Sequence, residues 1–265
     1  MAESDRILEG RRAIITGASR GIGAEIARAM ARAGAAVVLA ARDAQALARV
    51  VEEITDRGGR TIAVPTDVSD PAAVERMVGT AVHEWGGLDL AVNNAAGGGH
   101  GPTPLADVSA DQFRSALAIS LEGVFYSLKY EIPAMLETGG GAIVNMASTA
   151  GIEAVGGLAG YVSAKHGLLG LTKVAALDYA AQGIRVNAIA PGPILTERLQ
   201  EAGEEMQRRA GMAMPMQRIG QPAEVAAAAV WLCSEHASFI TGVTLAIDGG
   251  KLAGTPPFST SGGRT

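Results

Sequence analysis

Ala13-Ile14-Ile15-Thr16-Gly17-Ala18-Ser19-Arg20-Gly21-Ile22-Gly23 reads as a short apolar strand that runs into a glycine-rich turn, with helical periodicity starting at once behind it. A strand, a turn whose backbone can approach a ligand closely, and a helix N-terminus with unpaired N–H groups together make an anion site. A pyrophosphate suits such a site, so dinucleotide binding is the natural inference from Gly17, Gly21 and Gly23. The spacing G-x3-G-x-G differs from the commoner G-x-G-x-x-G, and the competing reading is a tight turn that holds no ligand. The strand before it and the helix behind it favour the binding site.

Outward from this turn, short β-branched runs alternate with longer stretches of helical period, the pattern of βαβ units around a parallel sheet. Seven strands are expected: Ala13 to Thr16, Ala36 to Ala41, Thr61 to Pro65, Leu88 to Asn93, Ala142 to Ala147, Ile184 to Ala190 and Val243 to Ile247. Several are apolar almost throughout, as strands covered on both faces are. Helix ends are legible as well. Gly34 suits a C-cap after Glu25 to Ala33, Ser69-Asp70-Pro71 offers a cap and a first-turn proline, and Gly86-Gly87 stops the helix that follows. The expected fold is α/β, a single Rossmann-type doubly wound domain over residues 1–251, with a seven-stranded parallel sheet and helices on both faces. No linker, charge run or repeat divides 12–250, whereas 252–265, with Gly254, Pro256, Pro257, Gly262 and Gly263, reads as an irregular C-terminal tail.

Composition narrows the function classes. The 265 residues are 48% hydrophobic and 18% charged, ample for a substantial core. A net charge of -5 lacks the basic excess of proteins that bind by neutralising phosphate backbones, so nucleic acid is not an expected partner. The single cysteine, Cys233, cannot form an internal disulfide, and Met1 to Arg12 carries Glu3, Asp5 and Glu9 where a leader would be basic and then apolar. A cytoplasmic protein is expected. Apolar runs such as Ala226 to Cys233 fall far short of the roughly 20 residues of a membrane helix. His83, His100, His166 and His236 lack metal-binding spacing, and no metal is assigned.

The turn Thr16-Gly17-x3-Gly21-x-Gly23 resembles the nucleotide turn of the short-chain dehydrogenase/reductase family. Further resemblances follow in that family's order: Asp67-Val68 after the third strand, Asn93-Asn94-Ala95 after the fourth, Ser148 after the fifth, Tyr161-x3-Lys165 on the next helix, and Pro191-Gly192 after the sixth. Together they span about 12–250 and resemble an NADP-preferring, 3-oxoacyl-reductase-like member. The resemblance implies a cofactor site built from Gly17, Ser19, Arg20, Gly21, Ile22 and Gly23, with Asp67 and Val68 at the adenine and Asn94, Ala95 and Ala96 beside the ribose. It places Pro191, Gly192, Ile194 and Thr196 towards the nicotinamide, where Tyr161 and Lys165 also contact the cofactor. Asn93 is expected to brace neighbouring strands instead, and Asp67 has an alternative role as a loop cap.

An acid at the end of the second strand bonds the ribose of NAD, whereas an arginine there accommodates the 2'-phosphate of NADP. Here the strand ends Leu39-Ala40-Ala41-Arg42, and Arg20 can approach the same phosphate, so NADP(H) is expected. Asp43 next door leaves NAD(H) as the lesser alternative, and the competing reading of both arginines is a solvated surface.

Tyr161 and Lys165 lie four residues apart on a helix and so share a face. A phenol with its reference pKa of about 10 is a slow proton donor at neutral pH, and a nearby ammonium favours its ionised form. The pair alone would be weak evidence. Ser148, thirteen residues before Tyr161 at a strand end, completes a set like the family's active site. The resemblance implies transfer of hydride between nicotinamide and a carbonyl carbon, Tyr161 giving the oxygen its proton, Ser148 polarising it, and Lys165 binding the ribose and activating the tyrosine.

Two positions depart from the family pattern. Ser120 in Ser120-Leu121-Glu122-Gly123-Val124-Phe125 stands where the family usually has an asparagine that joins a proton relay, and Ala96 follows Asn93-Asn94-Ala95 where glycine is usual. The resemblance implies that the relay uses a main-chain carbonyl at that point, which any residue supplies, so Ser120 is kept as a candidate catalytic residue. Met206, Met212, Met214 and Met216 fall in a region that forms a lid in similar proteins and suit a moderately hydrophobic substrate. Extra apolar positions on the helices carrying Phe113 to Leu136 and Tyr161 to Gln182, among them Leu168, Leu169, Leu171 and Leu177, suggest subunit contacts: a homotetramer, or failing that a dimer. The leading function is an NADPH-dependent, reversible carbonyl reductase acting on a small molecule. The alternatives are an enoyl reductase and a catalytically idle NADP-binding sensor or scaffold, which would have no need of Ser148, Tyr161 and Lys165.

Overall fold

Each β-branched run becomes a strand and each amphipathic stretch a helix in the computed structural model, which describes residues 6–254. The strands are β1 (Arg12–Thr16), β2 (Ala36–Ala41), β3 (Thr61–Pro65), β4 (Leu90–Asn93), β5 (Gly141–Met146), β6 (Ile184–Pro191) and β7 (Thr244–Ile247). The helices are α1 (Gly21–Arg32), α2 (Ala44–Thr55), α3 (Pro71–Trp85), α4 (Ala110–Leu117), α5 (Gly123–Leu136), α6 (Ala159–Tyr179), α7 (Glu197–Glu201), α8 (Glu204–Met212) and α9 (Pro222–Cys233). All seven strands are parallel in one sheet, ordered β3-β2-β1-β4-β5-β6-β7.

Alternation along the strands divides the core in two. Ala13 and Ile15 of β1 face α1, α2 and α9 through Met30, Leu47 and Val225, while Ile14 between them faces α3, α5 and α6 through Met77, Leu128 and Leu168. The sheet is covered on both sides, as its apolar strands require. Order reverses between β1 and β4, and this switch point is where open α/β sheets form ligand crevices beyond the carboxyl ends of their strands.

Several boundaries have local causes. Strand β4 begins at Leu90, two residues later than the sequence suggests; Asp89 before it already pairs with β1, its amide donating to the Arg12 carbonyl at 3.0 Å while its carboxylate accepts from the Arg12 amide at 2.8 Å. Asp70 caps α3 through the Ala72 amide with Pro71 in the first turn, and Gly86 ends it at a φ of 75°. The expected continuous helix from Phe113 to Leu136 is broken by a π turn over Ala118–Glu122. Leu168, read from sequence as part of a second apolar stripe, is wholly buried in the core, whereas Leu177 is 82% exposed. At the C-terminal end Lys251–Ala253 forms a 3-10 turn, and the rest of the expected tail, from residue 255, lies outside the described residues.

Candidate active site

The glycine turn lies at the switch point, between the ends of β1 and β4. Gly17 and Gly21 adopt left-handed φ values of 66° and 55°, which side chains rarely accept. A Cβ on Gly23 would collide with the Gly17 carbonyl and the Asn94 amide. Asn94 stitches the two strand ends together: its Nδ2 donates to the carbonyls of Thr16 at 3.0 Å and Gly17 at 3.2 Å, and the amides of Asn94 and Ala95 each donate to Thr16 Oγ1 at 3.0 Å. Arg20 precedes α1 without a side-chain cap, so its own side chain satisfies none of the first-turn N–H groups. These features fit a dinucleotide pyrophosphate. The Gly21 amide donates to Oε1 of Glu197 at 3.1 Å, a contact from α7 that nothing in the local sequence signals.

Beyond the turn is a cleft of about 560 Å3 lined by Ser19, Arg20, Arg28, Asp43 and Arg49. Asp43 is committed to α2, its Oδ1 accepting from the Ala46 amide at 2.9 Å. Among the described residues neither Arg20 nor Arg42 has an ion-pair partner. Asp67 accepts from the Ser69 hydroxyl at 2.7 Å and its amide at 3.0 Å, and these bonds, against partial burial and helped by the charge of Arg42, hold its carboxyl below the usual range. The helix cap falls to Asp70, not Asp67. Val68 is buried, Gly192 donates to the Ile247 carbonyl at 3.0 Å, and Ile194 bridges to Gly220, which brings Thr196 to the mouth of the glycine turn.

Lys165 is 1% exposed, and its Nζ donates to the Met146 carbonyl at 2.6 Å, two residues before Ser148. The same Nζ lies 5.8 Å from the centre of the Tyr161 ring. Burial lowers its pKa to about 8, still leaving the ammonium about tenfold dominant at neutral pH. Ser148 Oγ accepts from the Ala150 amide at 3.1 Å and so is held at the end of β5. Behind it the turn Thr149–Gly151 packs so closely on α6 that a Cβ on Gly151 would lie 2.8 Å from the Lys165 carbonyl. Ser120 is buried in the π turn, its hydroxyl donating to the Gly97 carbonyl at 3.3 Å and accepting from the Gly97 amide at 3.4 Å. It thus holds the loop that follows Ala96.

Asn93 braces strands as expected, its Nδ2 donating to Asn145 Oδ1 at 3.0 Å, but it also donates to Oε2 of Glu131 at 3.0 Å. Sequence reading missed Glu131. Its signal was an acid on the stripe Val124, Leu128, Glu131, Met135, which is otherwise core. Met214 is buried, and Met206, Met212 and Met216 are exposed; Met214 and Met216 line a cavity of about 300 Å3 with Pro193 and Gly250, which Ser148, Tyr161 and Lys165 do not line.

A doubly wound parallel sheet with a glycine turn at its switch point defines a class of nucleotide-binding α/β proteins, and comparison with known proteins places the chain among oxidoreductases. A family model described as Enoyl-(Acyl carrier protein) reductase matches residues 17–251. The chain is 44% identical over 257 residues to the A-factor type gamma-butyrolactone 1'-reductase (1S-forming) of Streptomyces virginiae, covering 94% of this chain and 98% of that one. It is 42% identical over 238 residues to the cyclohexanol dehydrogenase of Acinetobacter sp. (strain SE19), covering 89% and 93% of the two chains. A solved structure of a 7α-hydroxysteroid dehydrogenase complexed with NADH and 7-oxo glycochenodeoxycholic acid superposes with a TM-score of 0.88 at 37% identity, covering 94% of this chain and 98% of that one. The chain belongs to the short-chain dehydrogenase/reductase family.

Proposed function

We propose that this protein is an NADP(H)-dependent oxidoreductase that interconverts a ketone and a secondary alcohol. The observation that carries the reading is the buried Lys165 ammonium, fixed by the Met146 carbonyl between Tyr161 and the end of β5 that bears Ser148. A nicotinamide dinucleotide lying along the switch-point cleft would supply or accept the hydride. Tyr161 delivers its hydroxyl proton to the substrate oxygen, and the Ser148 hydroxyl hydrogen-bonds the same oxygen. Lys165 stabilises the phenolate that Tyr161 leaves behind and would help to hold the nicotinamide ribose of a bound cofactor. Ser120 serves through its main-chain carbonyl, in a π turn of the kind that recurs at functional sites, while its side chain is occupied by Gly97.

Arg20 and Arg42, with Asp43 engaged as a helix cap, support NADP(H) over NAD(H). Asp67, Val68 and the Asn94 to Ala96 segment are assigned to adenine and ribose, and Pro191, Gly192, Ile194 and Thr196 to the nicotinamide half. The names of the relatives support a moderately hydrophobic, cyclic small-molecule substrate. Exposed Phe125, Val174 and Leu177 on α5 and α6 support a homotetramer, which light scattering would test. A cytoplasmic site of action accords with Cys233 being the single cysteine of the sequence, which leaves no internal disulfide to form. No helix among the described residues is long and apolar enough to cross a membrane.

Paired titrations with NADPH and NADH test the cofactor, with NADPH expected to bind about ten- to a hundredfold tighter through charged hydrogen bonds to the 2'-phosphate. Equal or reversed affinities would transfer the assignment to NAD(H), and binding of neither would refute the function. Turnover on cyclohexanone and cyclohexanol, with Tyr161→Phe as control, tests the chemistry. The description of the matching family model favours a second reading, reduction of a C=C bond, and an enoyl thioester in the same panel separates the two.

A further inference from the structure

Glu131 is wholly buried, with 0% of its surface exposed, on the face of α5 that otherwise presents Val124, Leu128 and Met135 to the core. Its Oε2 accepts from Asn93 Nδ2, which also donates to Asn145 Oδ1; Asn145 Nδ2 in turn donates to Thr172 Oγ1 at 3.0 Å, and that hydroxyl to the Leu168 carbonyl at 2.9 Å. A continuous set of hydrogen bonds therefore joins α5, β4, β5 and α6. Each link adjoins the site. Asn93 precedes Asn94, which holds the glycine turn; Asn145 precedes Met146, whose carbonyl anchors Lys165; Thr172 is two turns along α6 from Lys165.

Two buried acceptors in this set have no donor, Glu131 Oε1 and Asn93 Oδ1. They belong to two groups already joined through their other atoms, and leaving both bare would incur the desolvation penalty twice. One proton can serve both, because a carboxylic acid and an amide pair through two hydrogen bonds, N–H to one carboxyl oxygen and O–H to the amide oxygen. The packed elements offer no cation as an alternative. Lys165 on α6 is committed to Met146, Arg185 on β6 to the carbonyls of Leu232, Ser234 and Ile240, and β4 and β5 carry no charged residue. Glu75, Arg76, His83 and Glu84 on α3 are all exposed, as are Lys129 on α5 and His166, Lys173 and Asp178 on α6.

We propose that Glu131 is held as the neutral acid, with Oε1–H donating to Asn93 Oδ1, and that it is a positioning residue setting the β4 and β5 ends that carry the cofactor and catalytic groups. Burial, opposed by the Asn93 hydrogen bond, pushes the Glu131 carboxyl up to about 7, in the same direction. The functional half rests on the oxidoreductase reading; the protonation half does not.

Infrared spectra of the full chain and of Glu131→Gln at pH 6 and pH 9 test the protonation. The wild type should show the carbonyl band of a buried protonated carboxyl at pH 6, weakened at pH 9 and missing from the variant; its absence at pH 6 would overturn the proposal. Glutamine supplies an N–H where the acid has its O–H, so at pH 6 Glu131→Gln should bind NADPH and NADH within about twofold of wild type, whereas Glu131→Leu, which strands Asn93, should lose about tenfold. Equal losses in both variants would overturn the positioning role. Should Glu131→Leu fail to fold, a loss in Glu131→Gln at pH 6 approaching tenfold would overturn it alone. If wild type binds neither nucleotide, the oxidoreductase reading and the positioning role fall together, while the infrared band still decides the state of Glu131.

Discussion

Glu197 on α7 reaches across to the N-terminus of α1, where its Oε1 accepts from the Gly21 amide at 3.1 Å. A carboxylate is favourable there for the same reason that a pyrophosphate is, since both meet unpaired N–H groups at the positive end of the helix dipole. On the proposed binding mode the two compete for one place. Glu197→Ala should therefore bind NADPH about fivefold more tightly, the equivalent of about 1 kcal/mol for a lost competing hydrogen bond. Fluorescence titration measures this, and weaker binding by the variant would instead make Glu197 a cofactor ligand.

Lys165 predicts an opposition between activity and stability. Burial lowers its pKa from 10.5 to about 8, so the folded state disfavours the ammonium that the unfolded chain carries freely. At 1.36 kcal/mol per pKa unit this destabilises the fold by about 3 kcal/mol below pH 8, and the penalty fades as the pH rises towards 10.5. Lys165→Met relieves that penalty but also loses the charged hydrogen bond to Met146, worth about 1.5 to 3 kcal/mol, so it should unfold at a urea concentration equal to or slightly above that of wild type at pH 7 while losing turnover. The gain should vanish by the upper end of that pH range. A less stable variant at pH 7 would mean that the bond to Met146 outweighs desolvation.

Legibility followed the range of the forces involved. Strands, caps and the glycine turn were readable because β-branched runs, Asp70-Pro71 and Gly17, Gly21 and Gly23 act within a few residues of themselves. Tyr161 and Lys165 were readable because one helix turn brings them together. Glu131 was not, since its partner Asn93 is 38 residues away and their meeting depends on α5 packing on β4. Ser120 was noticed only as a departure from a pattern; its contact with Gly97 depends on a π turn that no local residue announces. Glu197 is an acid on an exposed helix, and only the tertiary placement of α7 makes it a partner for Gly21.

Arg12 and Asp89 fasten β1 to the start of β4, the strands on either side of the switch point. Arg12 Nε and its amide donate to Asp89 Oδ2 at 2.7 and 2.8 Å, and Nη2 donates to Oδ1 at 2.8 Å. Burial alone would raise the Asp89 carboxyl, but the hydrogen bonds from the Arg12 side chain and amide, with the charges of Arg12 and Arg11, bring it below its usual 3.8. A depressed folded-state pKa adds stability that is present above the unfolded value and lost as pH falls through the folded one. Asp89→Asn should cost about 2 to 4 kcal/mol at pH 7, with the gap from wild type narrowing below about pH 4. Urea unfolding at pH 7 and pH 3 checks this; an undiminished gap at pH 3 would assign the loss to shape and not to charge.

On the proposed NADP(H) reading, cofactor choice turns on the end of β2, where Ala41 leaves no acid for a ribose hydroxyl and Arg42 stands exposed beside it. Asp43, next along the chain, gives Oδ1 to the Ala46 amide as the cap of α2. Ala41→Asp with Arg42→Ala supplies an acceptor for the 2'-hydroxyl and removes one cation from the 2'-phosphate, so it should weaken NADPH binding and strengthen NADH binding. Each effect is worth about 1.5 to 3 kcal/mol as a charged hydrogen bond, which changes the ratio of the two affinities by about a hundredfold or more. Ala41 is partly exposed, so the larger side chain has room, and unchanged urea unfolding would show that the fold is intact. A variant that keeps its full preference for NADPH would move the phosphate grip to Arg20 and Arg49 across the cleft, where Arg20→Ala would then have to abolish it.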